Sequence, residues 1–281
     1  MSSLDGYDAA TLEGGLVCAR RVGWARESEQ PMEIISVTPD NIDAEHICCA
    51  ITEKRGESCV SQKKVWMSER FADGLVFRKL DARGKVFIEY IPAEKAWCPI
   101  EADGYLHIDC FWVSGQYKGR GHATELLEAC IADAREQGKL GITALSSAKK
   151  MPFLSDPKFL RYKGFETADT AEPFYELLYL PFSEDAPVPR FMSHVKKPRV
   201  DEDGFVLYFT NQCPFAEKYA MAAAREAKAR GVRFELRKIE TLDQAKAAPA
   251  PFTAYTLFRD GAFVTNEILS EKKLATLFAA D

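Results

Sequence analysis

Apolar residues recur with two different periods along this chain of 281 residues, and the switches between them mark its elements. Runs of β-forming residues at 33–38, 74–80 and 85–91 predict strands, the last two joined as a hairpin by Asp81-Ala82-Arg83-Gly84. Two helices are predicted between the first and second strands, one containing His46, Cys48 and Cys49 and one near 61–71. Leu106-His107-Ile108-Asp109-Cys110-Phe111-Trp112-Val113 predicts a buried strand. After it comes the glycine loop Gln116-Tyr117-Lys118-Gly119-Arg120-Gly121-His122-Ala123. Ala123, Leu126, Leu127, Cys130, Ile131 and Ala134 then form one helical stripe that ends at Gly138. A strand at 141–147, a short helix at 156–163 and a hairpin from 165 to about 179 complete this half.

Proline and charge dominate 183–203, the composition of a linker. Beyond it the pattern predicts a strand at 204–209, a helix at 214–230 stopped by Gly231, and a strand at 232–239. Strands at 253–259 and 262–264 turn at Asp260-Gly261, and Ser270 caps a last helix that turns Leu274, Leu277 and Phe278 inward. The expected organisation is a weakly structured extension (1–31), a first domain (32–182), a linker (183–203) and a smaller domain (204–281). The fold class is α/β, more closely α+β: a mixed sheet with flanking helices, followed by a second small sheet. No internal repeat relates the halves.

Composition adds mainly exclusions. The net charge of −5 gives no nucleic-acid signature. No run of about 18 apolar residues offers a membrane span. Leu16-Val17-Cys18-Ala19 is too short for a secretory leader. The eight cysteines show no disulfide-framework spacing, so reduced thiols in a cytoplasmic protein are expected.

Chemistry enters at the glycine loop. Two glycines let backbone approach a ligand closely, and the amides at a helix start attract phosphate oxygens. Lys118 and Arg120 add cations beside them. A bare Gly-x-Gly also serves ordinary turns, but here it stands between a strand and an amphipathic helix, with Gln116 ahead of it. The stretch resembles motif A of the GCN5-related N-acetyltransferases, Gln/Arg-x-x-Gly-x-Gly/Ala. The element order β-α-α-β-β-β-α-β-α-β-β and the Gly164-Phe165 helix ending match that family too. The resemblance implies acetyl-CoA as co-substrate, with its pyrophosphate on Gln116, Tyr117, Lys118, Gly119, Arg120, Gly121, His122 and Ala123. It also implies pantetheine pairing beside the backbone of Phe111 to Val113.

Acetyl transfer needs a neutral amine and a proton for the leaving thiolate. Asp109 on the motif strand and Glu89 on the neighbouring strand are the candidate bases. Alternation places Asp109, Phe111 and Val113 on one face, either core or cleft. Glu89 reads equally as a solvated strand residue. Many family members carry a tyrosine where this chain has Leu160. Tyr162 is the remaining candidate acid, with an aromatic core role as the competing reading. Without an acid, the thiolate takes its proton from water. Helical geometry puts His46 and Cys49 on one face, which reads as packing near the acceptor cleft in preference to a metal site.

In the second domain the β-α-β…β-β-α order resembles the thioredoxin and glutaredoxin fold. Cys213-Pro214-Phe215-Ala216 is similar to a glutaredoxin site that lacks its second cysteine. A helix start lowers a thiol pKa, so Cys213 is a candidate monothiol or binding site, against an inert buried cysteine. Pro251 is the candidate for that fold's cis-proline. Thr210-Asn211-Gln212-Cys213-Pro214-Phe215 and the segment from Phe263 to Glu271 make the whole arrangement resemble the YoaP-type two-domain acetyltransferases. The reading is therefore an N-acetyltransferase with a thioredoxin-like module that aids recognition of a small-molecule or peptide amine, as a monomer or homo-oligomer. The rival is a monothiol redox or thiol-binding protein using Cys213, with the CoA fold kept for sensing or docking.

Overall fold

A computed structural model describes residues 33–53, 55 and 57–279. The expected extension at 1–31, with Cys18, lies outside the described residues. Glu33–Asp281 form one compact unit. In chain order its strands and helices are β1 (Ile34–Val37), α1 (Cys59–Phe71), β2 (Val76–Leu80), β3 (Val86–Pro92), β4 (Ile100–Glu101), β5 (Tyr105–Val113), α2 (His122–Glu136), β6 (Gly141–Ser147), α3 (Pro157–Tyr162), β7 (Glu166–Ala171) and β8 (Tyr175–Pro181). The rest are β9 (Arg190–Phe191), β10 (Phe205–Phe209), α4 (Ala216–Arg230), β11 (Phe234–Lys238), α5 (Leu242–Lys246), β12 (Tyr255–Arg259), β13 (Ala262–Thr265) and α6 (Glu271–Phe278).

Seven strands form the main sheet in the order β1-β2-β3-β5-β6-β8-β7. All its pairings are antiparallel except β5 with β6. Every residue of β6 is buried, as a central strand covered on both faces requires. Helices α1 and α2 cover opposite faces of this sheet. Glu89 on β3 pairs with Lys63 of α1, and the next residue, Tyr90, bonds Asp133 of α2. Successive strand residues point to opposite sides, which fixes the two helices on the two faces. Arg78 of β2 adds a 2.7 Å ion pair to the same Asp133.

A four-stranded sheet, ordered β11-β10-β12-β13, forms the second region. Its β10 runs parallel to β11 and antiparallel to β12. Helices α4 and α6 bury Ala216, Ala220, Ala223, Ala227, Leu274 and Phe278 in its core. This region shares a core with the first: Ile239, Ala245 and Ala248 belong to the same buried cluster as Trp97, Cys98 and Ile100. Lys246 of α5 donates to the carbonyls of Ala93 and Cys98, each at 3.1 Å. Tyr175 meets Phe263 edge-on with ring centroids 6.0 Å apart.

Several expectations need correction. The segment around His46, Cys48 and Cys49 is turn and bend, not helix. Asn41 explains its start: the side chain accepts from the Thr38 amide at 2.8 Å and donates to the Ser36 carbonyl at 2.9 Å. Both bonds compete with helical pairing. Cys48 has a positive φ of 52°, a conformation foreign to a helix. The stretch read as a linker carries β9, which pairs with β4, and it buries Phe191, Val195 and Val200. Among the described residues the one cis peptide precedes Pro173, so the bond before Pro251 is trans.

Candidate active site

The glycine loop sits between β5 and α2, where the sequence placed it. Gly119 and Gly121 have φ of +75° and +90°, and an added Cβ at Gly119 would meet nothing within 4 Å. Both positions thus need glycine for backbone conformation rather than for space. The turn presents the amides of Gly121, His122 and Ala123 together at the start of a fifteen-residue helix, whose first amides have no carbonyl one turn back. Gln116 and Lys118 are exposed beside it. Tyr117 is buried with its ring against Gly84, and His122 is buried with Nδ1 3.1 Å from Glu125. These two residues therefore offer the loop their backbones, not their side chains.

Strand geometry opens a slot just before this loop. β5 and β6 pair only from Tyr105↔Gly141 to Ile108↔Ala144, although both strands continue. Beyond Ile108 they diverge, leaving the β6-facing backbone of β5 through Phe111, Trp112 and Val113 without a ladder partner. Phe111 lies edge-on to Phe159 of α3 across the gap, with centroids 5.5 Å apart.

Asp109 stands where the strands part, and it is a bulge residue. On β3 the consecutive residues Glu89 and Tyr90 pair with Cys110 and Ile108, so Asp109 has no partner in the ladder. A bulge puts an extra residue on one strand and re-aims its side chain. The alternation expected for Asp109, Phe111 and Val113 is interrupted here. Asp109 and Cys110 both stand beside Glu89, while Phe111 turns to α3.

The two candidate carboxylates have different settings. Lys63 Nζ lies 2.7 Å from both oxygens of Glu89, and both side chains are fully buried. Glu89 thus has a dedicated cation; burial opposes the Lys63 charge most strongly, but Glu89, Cys48 and Asp109 together raise its pKa. Asp109 has no such ion pair. Burial first and the Glu89 carboxylate second push its pKa up to about 8. Lys63 and, more weakly, the side chain of Gln212 pull the other way. Its Oδ2 is buried without a hydrogen-bond partner. Next along the strand, His107 is held neutral by burial, its pKa pushed down to about 3, with Nδ1 2.9 Å from the Thr143 hydroxyl.

Four thiols cluster nearby, two of them, Cys48 and Cys110, within electrostatic range of Glu89. Cys48, Cys49 and Cys110 of the first region and Cys213 of the second lie within electrostatic range of one another. Burial pushes all four up, Cys213 to about 11. The helix-start effect expected for Cys213 is present as bonds from the Phe215 and Ala216 amides, but it loses to burial. His46 is elsewhere engaged, 3.1 Å from the Gly84 carbonyl.

Glu89, Asp109, the β5 backbone and the glycine loop are thus brought to one end of the sheet. Tyr162 is not: its side chain is 82% exposed on the outer face of α3, while Leu160 takes the buried position. Sequence reasoning missed Lys63, Gln212 and Lys246. Lys63 belongs to the buried stripe Cys59, Val60, Lys63, Trp66 and Met67, whose helical spacing was its one available signal. A cavity of about 540 Å³ lined by Arg199, Glu202, Tyr208 and Arg237 lies apart from Asp109. Its Arg237 is already paired with Glu202 and Glu235.

Residues 42–152 match the acetyltransferase (GNAT) family, and residues 234–275 match the YoaP-like family. The chain is 43% identical over 243 residues to a Bacillus subtilis (strain 168) protein named as the uncharacterized N-acetyltransferase YoaP. That match covers 86% of this chain and 97% of the relative. Among solved structures, a GNAT family acetyltransferase from Brucella melitensis in complex with acetyl-CoA is similar at 15% identity. It covers 58% of this chain and 96% of its own, with a TM-score of 0.36. The PaiA N-acetyltransferase from Thermoplasma acidophilum in complex with coenzyme A is similar at 14% identity, covering 54% of this chain and 100% of its own, with a TM-score of 0.38. With 43% identity over nearly the whole length of the Bacillus subtilis relative, the chain belongs to the YoaP-like N-acetyltransferases of the GNAT family.

Proposed function

We propose that the protein transfers the acetyl group of acetyl-CoA to an amine bound beside Asp109, in a site completed by the second region. The observation that carries this reading is the divergence of β5 from β6 directly ahead of the glycine turn. The opened β5 edge offers backbone groups to an extended amide-containing arm, and the turn offers a nest of amides to a pyrophosphate. Lys118 adds a cation at the same place.

In this mechanism Asp109 takes a proton from the acceptor ammonium, leaving a neutral amine. The amine nitrogen attacks the thioester carbonyl, whose oxygen is polarised by the β5 backbone around Phe111 to Val113. The carbon–sulfur bond breaks, the nitrogen gives its second proton to water, and the CoA thiolate takes one from water. A base with a pKa near 8 is matched to an amine proton at neutral pH. Glu89, locked to Lys63, sets the field around Asp109 and is not itself the base.

The second region reads as a thioredoxin-like module, with the parallel β10–α4–β11 unit followed by antiparallel β12 and β13 and by α6. Its turn at Asn211 and Gln212 docks on α1, where Asn211 donates to Gln62 at 3.1 Å, a placement that suits acceptor recognition. The rival monothiol reading is disfavoured by the same burial that raises Cys213, since a protonated thiol is a poor nucleophile. Seven unpaired cysteines among the described residues fit a reducing, cytoplasmic setting.

The test is a screen of small amines and peptides for CoA release from acetyl-CoA. At least one amine should be acetylated, and Asp109→Asn should abolish that turnover while CoA still binds. CoA binding with no acetylation of any amine would defeat the reading, and so would turnover that depends on Cys213 and ignores acetyl-CoA.

A further inference from the structure

The second region grips one loop of the first. Between β3 and β5, Trp97 and Cys98 are held by the stretch from Lys246 to Thr253. The Thr253 hydroxyl donates to the Trp97 carbonyl, the Cys98 thiol donates to the Pro251 carbonyl at 3.3 Å, and Lys246 Nζ donates to the Cys98 carbonyl at 3.1 Å. These bonds set the buried Trp97 side chain against α1. Its ring meets Trp66 edge-on with centroids 5.6 Å apart, and the Arg70 guanidinium lies over it at 5.3 Å. Trp66 in turn lies under Lys63, whose Nζ is 4.1 Å from the ring centroid. The Lys63 ammonium therefore has two neighbours, the Glu89 carboxylate at 2.7 Å and an aromatic face.

Trp66 has no polar anchor of its own, because its Nε1 is buried without a hydrogen-bond partner. A buried indole ordinarily finds one. Here packing decides where the ring sits, and Trp97 is the aromatic partner that supplies it.

From this chain of contacts we infer that Trp66 is a positioning residue for acetyl transfer, its ring keeping the Lys63 ammonium on Glu89, next to Asp109 in the sheet. The inference rests on Asp109 being the base. It gives the second region a part in the proton transfer that runs through Trp97, beyond shaping the acceptor cleft. Glu89 pairs with Cys110 across the ladder, and Asp109 is the bulged residue beside it. A lysine ammonium ends a flexible stem, which one carboxylate alone does not fix. The ring face removes that freedom.

The charged and titratable groups around Asp109 are Glu89 on β3, Lys63 on α1, Lys246 on α5 and the Cys98 thiol. Around Lys63 they are Glu89, Asp109 and the thiols of Cys48 and Cys213. Lys63 offsets the negative charge of Glu89, which opposes ionisation of Asp109. If Lys63 drifts, Asp109 gives up its proton only at higher pH. A Trp66 that merely filled space would lower stability and leave that pH unmoved.

The experiment compares Trp66→Leu and Trp66→Phe in the full chain by two readings. One is the NMR shift of the Lys63 methylene next to nitrogen, in protein labelled with carbon-13 lysine, identified as the signal missing from Lys63→Arg. The other is the midpoint of the rise of kcat/KM with pH, for an amine that the wild type acetylates. The ring current should hold the Lys63 signal upfield in wild type and in Trp66→Phe, and Trp66→Leu should lose it. The midpoint should rise by about half a pH unit in Trp66→Leu and stay near wild type in Trp66→Phe. Thr253→Val, which removes the bond to Trp97 and keeps the shape, should move both readings the same way by less. An unmoved midpoint in folded Trp66→Leu would overturn the inference. Should that variant fail to fold, both readings unmoved in Thr253→Val would do the same. If Asp109→Asn acetylates as fast as wild type, the base assignment falls instead, while the Lys63 signal still reports the ring contact.

Discussion

Lys63 and Glu89 form an ion pair at 2.7 Å with neither side chain reaching solvent. Removing one partner strands the other as an unpaired buried charge, whereas removing both leaves an apolar gap of similar shape. Lys63→Met should therefore lose about 3–5 kcal/mol in urea unfolding. The double variant Lys63→Met/Glu89→Leu should recover most of that loss. A single variant as stable as wild type would show that the pair is not closed to water.

The base reading has a signed pH dependence. Asp109 must be ionised to take a proton, so kcat/KM should rise with pH through about 8. Asp109→Asn should cost about 10²–10⁴ in rate at the plateau. A limb near 6.5 instead would point to a histidine, although the neutral His107, pushed down to about 3, is not available for that role.

The same shift bears on stability. Asp109 has a folded pKa above its unfolded value, so its contribution is complete below the ordinary carboxylate range and is lost as pH rises through about 8. Asp109→Asn does not titrate. Its urea midpoint should therefore gain on wild type between pH 4 and pH 8 and hold a constant lead above that. A lead independent of pH would mean that the carboxyl is solvated in the folded chain.

Cys213 should be unreactive while the chain is folded. With its pKa near 11, almost none is thiolate at pH 7.5, and iodoacetamide should label it only after unfolding. Mass spectrometry of labelled peptides reads this directly. Fast labelling of the native protein would revive the monothiol reading.

The glycine turn should be sensitive through its backbone. At Gly121, with φ of +90°, an alanine should cost about 1–2 kcal/mol of local strain and tilt the amides at the start of α2. The rise in Tm that CoA gives wild type should shrink in Gly121→Ala, with a smaller loss in the unliganded Tm.

The parts of this molecule that were legible in its sequence are those fixed by local periodicity. The strand, glycine turn and helix around Gln116–Ala123, the order of the main elements and the start of α6 at Ser270 all follow from neighbouring residues. The α6 cap is present, with the Ser270 hydroxyl accepting from the Lys273 amide. What escaped depends on pairing at a distance. Nothing between Leu106 and Val113 marks Asp109 as a bulge, because the shift exists only in register with Glu89 and Tyr90. Lys63 looks like an ordinary solvated lysine until β3 supplies its carboxylate. The helix expected around His46 fails because Asn41 bonds its own backbone surroundings, a local effect that the apolar pattern outvoted. Thr253 reaches Trp97 from 156 residues along the chain, and no spacing rule connects them.

The register around Asp109 also separates the needs of the sheet from those of the chemistry. Ile108 and Cys110 already pair with consecutive residues of β3. If Asp109 were deleted outright, these two would become neighbours in a regular ladder and every other β5 side chain would keep its face. The strand would heal rather than shift. Asp109 is thus surplus to the sheet, a residue the architecture can lose whole. A chain without it should fold at least as firmly as its parent while having no group to accept the amine's proton.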